Sequence, residues 1–196
     1  MTTTPRIVLA SVSPHRSALL KRLGLPFAST APRVEETELP GEPPEERARR
    51  LALAKARAVA RHHPGWIIIG GDQVASLPTA HGARILHKPG DLPTCREQLT
   101  AMSGGLARFD TAVAVIRGDR ELVHVDLTCV KLRQLSELEI ERYIEREPAY
   151  DCAGGFKCEG LGVSLFESIE TRDPTALVGL PLIWVCEALR QLGVSV

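Results

Sequence analysis

The apolar positions of this chain change period repeatedly, and each change marks an element. Arg6-Ile7-Val8-Leu9-Ala10 is a short apolar run that reads as a first strand. Leu19, Leu20 and Leu23 then put an apolar stripe on a helix over 15–23. Ser13 suits its N-cap, Pro14 its first position and Gly24 the residue past its end. Residues 27–31 fit a second strand, and 45–62 predict a long helix rich in Ala and Arg. Ala48, Leu51, Ala52, Ala58 and Val59 share one stripe of that helix, with Lys55 among them. The helix ends in His62-His63-Pro64-Gly65, whose histidines are expected to cap carbonyls or face water.

The strongest run is Trp66-Ile67-Ile68-Ile69-Gly70-Gly71-Asp72-Gln73-Val74. Three β-branched residues in succession read as a strand buried on both faces. The two glycines allow a turn or a close approach, and Asp72 follows at once. Residues 74–77 suggest a further short strand, 79–84 a turn, 85–91 an extended segment and 93–102 a helix with Cys95, Leu99 and Met102 on one side. In 108–117, Phe109, Thr111, Val113 and Val115 alternate with Asp110, Ala112, Ala114 and Ile116. Residues 123–132 alternate through Val123, Val125, Leu127 and Cys129, so the two runs joined at Gly118-Asp119 predict a hairpin. Ser136-Glu137-Leu138-Glu139 is a capping box, flanked by a Leu135–Ile140 staple, that opens a helix to about 145. Residues 150–162 hold four glycines and two cysteines, a loop of tight backbone geometry. A strand over 163–169, a turn at Asp173-Pro174 and a helix from Pro181, with Leu182, Val185, Cys186 and Leu189 inward, complete the chain. The pattern predicts one α/β domain over 1–196, a mixed twisted sheet flanked by helices.

Composition narrows the function classes. The chain has 196 residues, 44% hydrophobic and only 4% aromatic, so its core is aliphatic. Lys+Arg and Asp+Glu both number 24, which argues against a binder of nucleic acid polymers, since these need a basic surface. A small anion held by a few local cations stays open. The five cysteines form no C-x-x-C pair, against a zinc site or a disulfide framework and for reduced thiols in the cytoplasm. Residues 1–6 lack a signal-peptide profile, and no apolar run approaches the ~20 residues of a membrane helix.

Several residues carry candidate chemistry. A buried strand that delivers an acid is a common layout of an α/β active site, so Asp72 is either catalytic or a solvated turn residue. The turn Ser11-Val12-Ser13-Pro14 leads into a helix N-terminus, where backbone N–H groups can hold phosphate. Arg16 in that first turn opposes the helix dipole, a local cost that hints at a ligand. Lys55 either snorkels past the core edge or points at an anion. Of the adjacent acids Glu35 and Glu36, one at most faces a site on an extended chain. Lys88 precedes Pro89 and is held extended.

Taken together, the chain resembles the Maf family, or septum-formation inhibitor-like proteins, which are nucleoside triphosphate pyrophosphatases. The resemblance lies in Leu9-Ala10-Ser11-Val12-Ser13-Pro14, Val34-Glu35-Glu36-Thr37, Gly70-Gly71-Asp72-Gln73-Val74, Lys88-Pro89, Met102-Ser103-Gly104 and Val178-Gly179-Leu180-Pro181. Asp72-Gln73, the run 152–160 and the run 165–174 resemble the branch that hydrolyses 7-methyl-GTP. The branch acting on dTTP and UTP tends to carry Thr in place of Gln73 and Gln in place of Glu159. The resemblance implies two lobes with the nucleotide in a cleft, as in Maf- and ITPase-like folds, and often a homodimer. By position, Asp72 resembles the proton acceptor; Ser11, Arg16, Lys55 and Lys88 match positions around the triphosphate. Glu36, with Asp72, matches a site for a divalent metal cation, Mg2+ or Mn2+. His15, Gln73 and Glu159 match the positions that separate the branches. His15 is a departure, because the 7-methyl-GTP branch often has Trp there, and an aromatic face attracts the positive charge of a 7-methylated guanine. The alternatives are a pyrophosphatase for dTTP, UTP or other non-standard nucleotides, and a nucleotide-binding regulator of septum formation with little catalysis.

Overall fold

The structure is a computed structural model that describes residues 6–80 and 82–196. The readings made on 1–5 and His81 lie outside the described residues. In chain order the elements are β1 (Ile7–Ala10), α1 (Pro14–Lys21), β2 (Phe27–Ser29), α2 (Pro44–Ala60), β3 (Ile67–Thr79), β4 (Gly82–Leu86), α3 (Leu92–Met102), β5 (Leu106–Arg117), β6 (Arg120–Leu132), α4 (Glu137–Arg146), a short 3-10 helix (Leu161–Leu165), β7 (Phe166–Glu170) and α5 (Leu182–Gln191). This is the mixed α/β arrangement that the pattern predicts. The chain forms two compact units: unit 1 holds Met1–Gln73, Thr111–Asp126 and Asp173–Val196, and unit 2 holds Val74–Asp110 and Leu127–Arg172.

Unit 1 is built on β1, which pairs in parallel with β2 (Ile7 opposite Phe27) and with β3 (Ile7 opposite Ile67). Parallel neighbours need crossovers, and α1 and α2 supply them. Helices therefore cover the sheet, which explains why Ile67, Ile68 and Ile69 are all buried with no alternation. Ile7, Leu9, Ile69, Val113 and Val115 pack with Leu182, Val185 and Leu189 of α5 in one aliphatic cluster. On α2, Ala56 is buried and the expected Ala58 is only half-buried, because the inward stripe runs Ala48-Leu51-Ala52-Lys55-Ala56-Val59. Likewise Ala188 takes the inward place on α5 expected of Cys186.

The Gly-Gly pair makes no turn. β3 runs unbroken from Ile67 to Thr79, so the separate strand expected at 74–77 is its continuation. Gly70 is there for close approach: a Cβ on it would lie 2.5 Å from the Ala52 carbonyl oxygen and 2.8 Å from the Ala56 Cβ of α2.

In unit 2, the end of β3 pairs with β4 in antiparallel fashion (Ala75 opposite Leu86), and β6 pairs with β7 (Val130 opposite Ile169). The alternation expected in β6 is inverted here: Thr128, Val130 and Leu132 are buried, while Leu127 is exposed and Cys129 half-buried. β5 does not alternate at all, since 109–116 are buried on both faces. α3 packs on α4, whose capping box forms as its sequence predicts. The glycine-rich segment is held at fixed points, not loose: Tyr143 Oη accepts from Lys157 N (3.1 Å), Glu147 accepts from Gly162 N (3.1 Å), and Phe156 meets Phe109 and Phe166 edge-on. Residues 163–165, expected to open a strand over 163–169, instead end the 3-10 helix Leu161–Leu165, and the strand starts at Phe166; Gly162 lies so close to Lys157 that a Cβ would clash with its carbonyl oxygen.

Candidate active site

The site grows from the end of β1. Ser11 is buried, and its hydroxyl accepts from Ser13 N at 3.1 Å. Ser13 in turn caps α1 by accepting from Arg16 N at 3.4 Å, with Pro14 at the first position. Serine, proline and helix start therefore fix Arg16 in the first turn, where its charge opposes the dipole. Arg16 Nε donates to the Gly179 carbonyl at 2.9 Å. Burial lowers the Arg16 pKa, and the nearby Asp72 and Glu36 charges pull it back up. Gly71 leaves room for this side chain, since a Cβ there would lie 3.3 Å from Arg16 Nε.

Two further elements converge on an ammonium. Lys55 projects from α2 with its side chain 8% exposed and donates to Asp72 Oδ1 at 2.6 Å. Its Nζ also lies 2.7 Å from Glu36 Oε1, whose side chain is 54% exposed in the loop before α2. Glu36, not Glu35, is thus the acid that turns to this cluster. Asp72 sits in the interior of β3, not at its end. Burial raises its pKa above the usual aspartate value; Lys55 pulls it down by charge and hydrogen bond, and Arg16 by charge. The cluster therefore pairs two cations with two carboxylates. A phosphate entering it competes with the carboxylates for Lys55 and Arg16, whereas a hard cation finds two oxygen donors directed at one point.

Gln73 has a structural partner set. Its Nε2 donates to Thr111 Oγ1 (2.9 Å) and to the Ala176 (3.2 Å) and Leu177 (3.1 Å) carbonyls. Together with Arg16 it fastens the segment that precedes α5. Asp173, read from the sequence as part of a turn with Pro174, and Thr175, to which the sequence pattern assigns no role, hold the same segment: Asp173 accepts from Ile183 N (2.7 Å), and Thr175 Oγ1 accepts from Leu182 N (2.8 Å). An Asp and a Thr two residues apart can form such side-chain turns, and that spacing was the available signal.

The remaining candidates are distributed as follows. His15 is half-buried on α1 in unit 1. Lys88 and Glu159 belong to unit 2 and are exposed. Lys88 stands between His87, whose carbonyl accepts from Gln98 Nε2 (3.0 Å), and Pro89, which is buried. Glu159 Oε2 lies 3.4 Å from Cys158 Sγ; burial, with Glu159 adding to it, pushes that thiol up to about 12.

Comparison with known proteins covers nearly the whole chain. The Maf-like protein family model matches residues 6–192. The 7-methyl-GTP pyrophosphatase of Xanthomonas axonopodis pv. citri is 52% identical over 98% of this chain and 99% of its own. That of a Polaromonas species is 50% identical over 100% of this chain and 89% of its own. Among solved structures, the Ham1 protein of Staphylococcus aureus aligns over 96% of this chain and 100% of its own with a TM-score of 0.53 at 14% identity, a likeness of fold.

Proposed function

This chain belongs to the Maf-like protein family, and from that premise we propose that it hydrolyses 7-methyl-GTP to the monophosphate and pyrophosphate. The observation that carries the reading is the Lys55 ammonium held between Asp72 and Glu36 with Arg16 beside them. Curated relatives at about half identity, named 7-methyl-GTP pyrophosphatases, support the substrate. In the reaction a water oxygen attacks the α-phosphorus, the bond from that phosphorus to the bridging oxygen breaks, and pyrophosphate leaves. Asp72, whose pKa burial raises, takes the proton of the water. Lys55 exchanges its carboxylate partners for phosphate oxygens, and Arg16, held on the Gly179 carbonyl, adds its charge, so that both stabilise the charge that develops there. Ser11 fixes the turn that precedes Arg16. Asp72 and Glu36 suit a divalent cation, Mg2+ or Mn2+, which when bound neutralises phosphate charge.

For Lys88, as a further phosphate contact, and for Glu159, as a reader of the base, support comes from the family resemblance alone. His15 and Gln73 are proposed as specificity positions on the same ground; for Gln73, selectivity then acts through the segment it fastens. Among the described residues no helix is long and apolar enough to cross a membrane. A cytoplasmic protein fits the five free thiols, and a homodimer is part of the family reading.

The test is product analysis with 7-methyl-GTP and magnesium. Pyrophosphate is expected; orthophosphate as the sole inorganic product refutes the proposed bond. Asp72→Asn is expected to abolish turnover while nucleotide binding persists, and equal turnover in that variant removes Asp72 from catalysis. Glu159→Gln is expected to shift the order of preference among 7-methyl-GTP, dTTP and UTP; an unchanged order removes Glu159 from base selection.

A further inference from the structure

A concavity in unit 1 lies outside the cluster of Asp72 and Lys55. It has a volume of about 440 Å³, within the ~300–1,000 Å³ typical of small-molecule sites. Its walls are the segment after β2, from Thr30 to Arg33, and the last turn of α2 with the residues that follow. Its basic lining residues are Arg33 and Arg61, with His62 and His63 beside them, and no Asp or Glu is among the described residues that line it.

Two observations set these arginines apart. Along α2, Arg47 holds Glu38, Arg49 holds Glu45, Arg50 holds Glu42 and Arg57 holds Glu121. Arg61 continues that series without an acidic partner among the described residues, and so does Arg33 opposite it. In a chain with equal numbers of acidic and basic side chains, unmatched cations gathered on one hollow are a feature to be explained. Arg33 is also the one non-glycine among the described residues with a left-handed backbone, at φ +46°. The α2 C-terminus brings partial negative charge nearby, but the carbonyls of Arg57, Val59 and Ala60 are already taken up by the N–H groups of Arg61, His62 and His63. The apolar wall formed by Ala58 and Val59 admits a small organic body beside the charged rim.

We propose that this hollow is a binding site for a small phosphate-bearing anion, gripped by Arg33 and Arg61 and separate from the Asp72–Lys55 cluster. The anion would join the two segments that also carry Glu36 and Lys55, so occupancy has a short covalent route to the catalytic cluster.

The protein has its own reporter for the test. Trp66 lies against His63 with ring centroids 5.1 Å apart and the rings tilted by 45°, and the other tryptophan is Trp184. In a Trp184→Phe background, Trp66 emission is followed while inorganic phosphate, pyrophosphate or guanosine monophosphate is added to the full chain. A saturable change with any one of them is expected and identifies which source the site prefers. The double variant Arg33→Asn/Arg61→Gln is expected to weaken that response by more than about tenfold, as two charge-assisted contacts are lost. Asn is chosen because it tolerates a left-handed backbone. A melting curve checks that the variant is folded, and its turnover at low phosphate is expected to match the parent. No saturable change with any of the three anions overturns the proposal. So does an unchanged half-saturation in a folded double variant. Neither outcome bears on the active-site reading, which the product analysis tests.

Discussion

Gly70→Ala adds one methyl group at a position where the backbone is ordinary extended strand, so glycine is required for space and not for conformation. The new Cβ would sit 2.5 Å from the Ala52 carbonyl oxygen, 2.7 Å from the Ala56 nitrogen and 2.8 Å from the Ala56 Cβ. Two of these atoms are helix backbone, which cannot rotate away as a side chain can. The strand cannot retreat either, because β1 is bonded along it from Ile67 to Gly70. The clash therefore belongs at the upper end of overpacking costs, about 3 kcal/mol. For a chain of this length that lowers the melting temperature by roughly 6–12 °C. The same displacement reaches the chemistry, because Lys55 lies on α2 between the two clashing residues, and its partner Asp72 is two residues along β3. Thermal melts and urea titrations should show the loss, and turnover should fall with it. Gly71→Ala is the control: its nearest contact is Arg16 Nε at 3.3 Å, the end of a flexible side chain. It should cost less stability and act mainly on substrate affinity. If Gly70→Ala melts no lower than Gly71→Ala, the close-packing argument is wrong.

Three other outcomes follow from the same geometry. Lys55→Met leaves the Asp72 carboxylate buried without its closest cation, a change that costs about 3–5 kcal/mol near neutral pH; because Asp72 then protonates more readily, urea titrations should show the deficit narrowing as pH falls, and a deficit independent of pH counts against the pair. In the parent enzyme burial raises the Asp72 pKa, so a base at this position is lost to protonation earlier on acidification; the acid limb of kcat/KM, which reports the free enzyme, should lie above the usual aspartate range, and a limb at or below that range contradicts Asp72 as the base. Asp173→Ala removes the acceptor for Ile183 N at the start of α5 and should cost about 1–2 kcal/mol in a thermal melt, with Asp173→Asn recovering part of it; equal stability of all three would mean that the cap is idle.

The elements that could be read along the chain are those whose signals are local. The Ser13-Pro14 start of α1 and the Ser136–Glu139 capping box rely on contacts within a few residues, and both form as their sequences predict. The Ile67-Ile68-Ile69 run declares a strand buried on both faces whatever lies against it. Motif order was enough to place the chain in its family, because Ser11, Glu36 and Asp72 stand in runs that are weak singly and specific as an ordered set.

What the linear pattern left undecided is everything set by partners far along the chain. Whether Gly70-Gly71 turns or is approached depends on α2, about fifteen residues away, pressing on β3, and the local residues serve either case equally well. The inward face of β6 was misread because Leu127 and Cys129 are more apolar than Asp126 and Thr128, yet the latter are the buried pair. Hydrophobicity ranks side chains by transfer from water and carries no information about which polar groups find partners; Thr128, for one, is bonded to Thr171. Lys55 stood on an apolar stripe where snorkelling and ion pairing look alike in one dimension. Only the fold brings Glu36 and Asp72 within 2.7 Å of its ammonium, and a charge in that position is stabilised by distance in space, to which separation in sequence gives no guide.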